Sequence, residues 1–120
     1  MNKQIKNKYL TVLHKNLADL NWINAKHADV LKKVCFEGND FSSNITQVAY
    51  TELIQGAIVA AHSHITMEEV FFLIEGVCEF IIQGEKILAG KQSVIRIPSN
   101  QVHSLHAISD CKFFYFGVSI

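Results

Sequence analysis

His62, His64, Glu69 and His103 are four side chains whose types and spacing suit a single chemistry. Neutral imidazole nitrogen and carboxylate oxygen are donors for a divalent transition metal (Fe, Mn, Ni, Co, Cu or Zn), and four protein donors leave room for a further ligand on a six-coordinate ion. His62 and His64 stand two apart after an apolar run, Ala57 to Ala61, so on a β-strand both rings project from one face. Glu69 lies an odd number of residues beyond His64 and would face the other way if that strand continued. A turn through Ile65, Thr66 and Met67 is therefore required, returning Glu69 on a neighbouring strand that begins Glu69-Val70-Phe71-Phe72-Leu73-Ile74. Such a turn gathers three donors around one point, and His103 comes from a separate stretch of the chain.

The fixed positions around these residues form two motifs. Gly56, five residues, His62-Ser63-His64, four residues, Glu69, six residues and Gly76 resemble the first motif of the cupins at every fixed position. Gly90 followed by Pro98-Ser99-Asn100-Gln101-Val102-His103 is similar to the second motif, with Asn100 where the family carries glycine. Asparagine is the non-glycine residue that most readily accepts a left-handed backbone, so the departure is mild. Ala107 stands where the family has a trailing asparagine. The resemblance extends through flanking strands to roughly residues 30 to 120. It implies an all-β cupin jelly-roll barrel (double-stranded β-helix) of two antiparallel sheets, with a divalent metal held by His62, His64, Glu69 and His103.

Those strands must come from the rest of a 120-residue chain, long enough for one core and too short for two. Alternation and β-branched or aromatic content predict strands near Val30 to Phe36, Thr46 to Leu53, Ala57 to His64, Glu69 to Glu75, Cys78 to Gln83, Val94 to Ile97, His103 to Ile108 and Lys112 to Val118. Ile82-Gln83-Gly84-Glu85-Lys86-Ile87 reads as a tight hairpin with glycine at positive φ. Residues 1–29 are expected to form an N-terminal arm packed on a barrel of residues 30–120. Within the arm, Leu17, Leu20 and Ile23 suit one helical turn or a short edge strand around Trp22.

Composition excludes several classes. No run approaches the ~18 apolar residues of a transmembrane helix. Residues 1 to 15 carry lysines but only a short apolar stretch and no small-residue cleavage site, which argues against a secretory signal. Cys35, Cys78 and Cys111 sit in apolar strand patterns without a C-x-x-C pair, so reduced, buried thiols and a cytoplasmic location are expected. Seven lysines face two aspartates in residues 1 to 33, but no basic cluster with interleaved aromatics points to nucleic acid.

Other candidates carry less. Glu68 should face away from the metal, and His106, three residues after His103, lies on the opposite strand face. His14 and His27 fall outside ligand spacing. Arg96, the one arginine, could anchor an anion if it pointed inward, and would otherwise form a structural salt bridge. Tyr50, Phe71, Leu73 and Tyr115 are candidates for a pocket wall. Nothing near Cys78 or Cys111 in sequence would activate either thiol.

The function implied is that of a small metalloenzyme, an oxygenase or an isomerase or lyase, acting on a small metabolite. The alternatives are a non-enzymatic module that binds a small molecule, including a carbohydrate, through the metal, and a protein whose metal only braces the barrel. An apolar, carboxylate-poor cavity would favour an oxygenase or an apolar ligand, and a second acid or base would favour isomerase or lyase chemistry. With Glu69 inward, Phe71 and Leu73 share its side, leaving Val70, Phe72 and Ile74 on the outer face. Three apolar outward positions need a cover, which predicts a homodimer, in competition with an arm that folds back through Leu17, Leu20 and Trp22.

Overall fold

Short segments rich in β-branched and aromatic residues, separated by turn residues, recur along the chain, and the computed structural model, which describes residues 11–25 and 30–120, folds them into ten strands among those residues. They are β1 (Ile23–Asn24), β2 (Leu31–Glu37), β3 (Ile45–Leu53), β4 (Ile58–His62), β5 (Met67–Glu75), β6 (Cys78–Ile82), β7 (Glu85–Ala89), β8 (Val94–Ile97), β9 (His103–Ala107) and β10 (Cys111–Ser119). A six-stranded sheet runs β1-β2-β3-β10-β5-β8 and a four-stranded sheet runs β4-β9-β6-β7, with antiparallel pairing throughout. This is the expected jelly roll. Leu53, Leu73, Phe80, Ile97, Leu105 and Phe113 from both inner faces meet in the core. The N-terminal lysines before residue 11 and His27 lie outside the described residues.

Two strands lie outside the eight segments read as strands, although the Ile82–Ile87 hairpin and the short edge strand expected in the arm anticipated each in part. β7 is an edge strand whose first four residues are all exposed, so it shows no alternation between buried and solvent positions. β1 is two residues long and pairs only Ile23 with Lys32 and Asn24 with Leu31. The arm uses both expected forms: a 3-10 turn at Leu17–Asp19, capped by the Asn16 side chain, and then this edge strand.

Parity along β5 divides the six-stranded sheet as anticipated. Glu69, Phe71 and Leu73 are buried inside, whereas Phe72 is exposed on the outer face. The described residues Leu17, Leu20 and Trp22 of the arm lie over one part of that outer face. Leu17 and Leu20 approach Cys35, Phe36, Val48 and Phe114, Trp22 lies 6.0 Å from Tyr50 between ring centroids, and Lys33 donates to the Leu17 carbonyl at 2.7 Å. The other part, over β5 and β8, leaves Phe72 41% and Val94 65% exposed.

Two turns bear on the site. Ile82 pairs with Glu85 across Gln83 and Gly84, both at positive φ (50° and 78°), which is the two-residue primed turn that matches strand twist. The Gln83 amide donates to the Val102 carbonyl, and the Val102 amide donates to the Gln83 side chain, each at 2.8 Å, so this hairpin braces the entry to β9. Asn100 adopts φ 61°, the left-handed conformation its motif position requires, and its amide donates to the His64 carbonyl at 2.6 Å.

Candidate metal centre

β4 and β9 place His62 directly opposite His103, with ring centroids 4.4 Å apart. Simple alternation would not have done so. Val59 pairs with the inward Leu105, and three residues later His62 would face outward on a regular strand. The ladder slips between Val59 and His62, and this irregularity at Ala60-Ala61 turns the histidine back into the barrel. His64 lies beyond the end of β4, in a loop rather than on the strand expected to carry it, and the Asn100 amide fixes its carbonyl.

Glu69 arrives from elsewhere. The turn predicted through Ile65, Thr66 and Met67 is present in its first two residues, while Met67 already belongs to β5. β5 is not a neighbour of β4, as the sequence suggested, but lies in the opposite sheet between β10 and β8. The carboxylate therefore crosses the barrel interior to meet the imidazoles. One ligand atom from each of His62, His64, Glu69 and His103 can be chosen so that all lie within 4.8 Å of one another. Glu69 Oε1 is 3.3 Å from both His64 Nε2 and His103 Nε2.

The hydrogen bonding of the rings selects which nitrogen faces this point. His62 Nδ1 lies 2.8 Å from the Ala60 carbonyl and His103 Nδ1 lies 2.9 Å from the Gln101 carbonyl. A carbonyl only accepts, so Nδ1 carries the proton in each ring and Nε2 presents its lone pair inward. His103 is 2% and Glu69 6% exposed, and neither His103 Nε2 nor Glu69 Oε1 has a hydrogen-bond partner. Buried polar atoms left in this condition are costly unless an ion completes them, and three imidazoles with one carboxylate suit a divalent transition metal. The residues present thus fit the group that the motifs imply. Burial disfavours a proton on His103, but the Glu69 carboxylate and the Gln101 carbonyl outweigh it and hold that proton more tightly than in an ordinary histidine.

A cavity of about 650 Å³ adjoins the cluster. Phe71, Phe113, Tyr115, Leu105 and Val59 form its apolar wall, with Tyr115 stacked on Phe71 at 5.3 Å. Burial, helped by the charge of Glu69 and opposed by the Thr51 hydroxyl, raises the Tyr115 phenol to about 12. Tyr50 and Leu73 do not line this wall. Tyr50 alternates with the inward Ala49 and Thr51, so it faces the arm, and Leu73 is sealed in the core.

The remaining candidates lie away from the cluster. Glu68 points outward and meets Arg96 at 3.8 Å, so Arg96 forms a surface salt bridge and is no anion anchor within the barrel. His106 pairs with Ile58 and Glu79 in the outward register, and His14 is exposed. All three cysteines are free and buried, and burial drives the Cys78 thiol up to about 12, which removes it as a nucleophile. Lys32 was not anticipated. It lines the cavity, yet Leu31-Lys32-Lys33-Val34 has no alternation from which its inward direction could be read.

The sequence model of the family described as Cupin domain matches residues 49–117. No curated protein matches the sequence. Among solved structures, the chain is similar to a predicted oxalate decarboxylase from Thermotoga maritima, with a TM-score of 0.82 at 15% identity over 90% of this chain and 100% of that one. It also resembles KdgF from Halomonas sp. (TM-score 0.74, 14% identity, 92% and 96% of the two chains) and ectoine synthase from P. lautus (0.76, 16%, 90% and 78%). Likeness at these identities establishes a shared fold, on which unrelated chemistries are built.

Proposed function

The chain belongs to the cupin family, and from that membership we propose that it is a small metalloenzyme holding a divalent transition metal through His62, His64, Glu69 and His103 and acting on a small molecule in the adjoining cavity. The observation that carries this reading is the pair of buried, unsatisfied atoms, Glu69 Oε1 and His103 Nε2, aimed at one point among four donors. When bound there, the ion supplies Lewis acidity or, if redox-active, electron exchange with dioxygen.

The chain's own residues set the conditions for that chemistry. Nδ1 contacts orient His62 and His103, Glu69 offsets the metal's charge, and the wall of Phe71, Phe113 and Tyr115 excludes water. Tyr115 keeps its proton near neutral pH and offers a hydrogen-bond donor to substrate. Glu69 is the one carboxylate among the described residues lining the cavity, and it belongs to the donor cluster. The apolar, carboxylate-poor wall of the cavity supports oxygenase chemistry.

The same carboxylate-poor wall supports a second reading, a non-enzymatic module binding a small molecule, including a carbohydrate, at the metal. Three buried thiols outside any disulfide suit a reducing compartment, and we assign the protein to the cytoplasm. A second copy of the chain is proposed to cover Phe72 and Val94. Among the described residues no helix is long and apolar enough to cross a membrane, which says nothing of strands.

Elemental analysis of natively purified protein, with mass spectrometry of any released small molecule, tests the reading. A near-stoichiometric transition metal is expected, and its absence from every native preparation rejects the site. Oxygen uptake with the released molecule favours the enzyme, and tight binding without turnover favours the module.

A further inference from the structure

The inner face of the six-stranded sheet carries a glycine beside the donor cluster. Gly117 of β10 is buried and pairs with Glu69 on β5 and with Gln47 on β3, so it stands in the row that holds the carboxylate. Residues directly opposite on neighbouring strands project to one face, and a side chain at 117 would therefore point into the barrel. The backbone does not demand glycine there, since Gly117 is not among the glycines at positive φ. Space is the remaining reason.

Two neighbours use that space. Met67 lies two residues before Glu69 on β5, shares its face and lines the cavity. The ladder between β3 and β10 slips between Gly117 and Val118, which leaves Thr46 out of the register, and Thr46 also lines the cavity. The Thr46 hydroxyl donates to Met67 Sδ at 3.4 Å, so the two side chains meet over the glycine. A Cβ added at Gly117 would lie 2.5 Å from Thr46 Oγ1 and 2.7 Å from Met67 Sδ. Both separations are far inside the optimum of about 3.5–4.0 Å for non-bonded atoms, so a side chain there must displace them. Methionine is unbranched and flexible, and its thioether would swing into the cavity it already lines.

From this arrangement we infer that Met67 is a specificity-determining residue. Lying over Gly117 under the hold of Thr46, it sets how bulky a group can sit beside Glu69 when the metal is bound. Gly117 and Thr46 act through Met67 and are positioning residues. This role rests on the metal reading of the cluster and adds to it the wall that limits the size of the ligand.

The test uses the full chain, chelated and reloaded with cobalt(II), and titrates imidazole as a slim probe and 4-phenylimidazole as a bulky one by the visible absorption of the metal. Gly117→Ala should weaken 4-phenylimidazole relative to imidazole by about tenfold, the scale of one methylene of misfit in a pocket, with cobalt stoichiometry and circular dichroism unchanged. Adding Met67→Ala to that variant should restore the wild-type ratio or exceed it, because the displaced side chain is gone. Met67→Ala alone should favour the bulky probe. An unchanged ratio in Gly117→Ala, no restoration by the second exchange, or binding of neither probe by any variant would overturn the proposal. Should Gly117→Ala fail to fold, an unchanged ratio in Met67→Ala overturns it instead. A wild-type chain that takes up no cobalt sinks the metal reading and this role with it, whereas full cobalt uptake with an unmoved ratio sinks this role alone.

Discussion

Exchange of His62, His64 or His103 for alanine removes one of four convergent donors and should sharply lower metal content, with circular dichroism unchanged because the apolar core lies beside the site. Full metal stoichiometry in His103→Ala would defeat the assignment. Glu69→Gln should weaken binding more than Glu68→Gln, since Glu68 faces Arg96 outside the barrel. His103 also carries a pH signature. In chelator-treated protein its folded pKa is raised above the unfolded value of about 6.5. The resulting stabilisation is fully present below that unfolded value and is lost as pH rises through the higher folded value. Melting temperature of the metal-free protein should carry this loss on the alkaline side, and Glu69→Gln should flatten it. Metal binding runs in the opposite sense, because the imidazole must be neutral to coordinate, so metal content falls as pH drops through the same window.

Elements place these residues by departing from ideal geometry at a few points. The slip at Ala60-Ala61 turns His62 inward, and two alanines carry no compositional mark of a bulge. The histidine pair was therefore legible as a pair, but its direction was not. Asn100 shows the reverse case, since its left-handed backbone followed from the motif and its bond to the His64 carbonyl did not. Asn100→Ala should destabilise the fold by about 1 kcal/mol and weaken metal retention by loosening the His64 loop, whereas Asn100→Gly should preserve stability. Urea titration with parallel metal analysis checks both. Wild-type stability in the alanine variant would show that the turn tolerates a side chain there.

In the whole molecule, the arm covers part of one outer face, and the proposed second copy would cover another part. The arm takes the part over Phe36, Val48 and Phe114, while Phe72 and Val94 remain exposed among the described residues. Sedimentation equilibrium at micromolar concentration should give twice the 13.5 kDa chain mass, and Phe72→Glu should reduce it to one chain. A wild-type species at the single-chain mass would instead leave that surface to solvent. Sequence by itself determined the strand segments, the turn residues and the types and spacing of the four candidate donors, because each depends on local backbone sterics or on side-chain chemistry. It determined the inner and outer faces of β5 for the same reason, since a regular strand alternates without interruption. Only the tertiary structure decided that Glu69 reaches the histidines from the opposite sheet, that Tyr50 faces the arm and Arg96 the surface, and that Lys32 enters the cavity. Each of these depends on pairing between distant segments and on bulge positions, where one extra residue reverses every direction that follows.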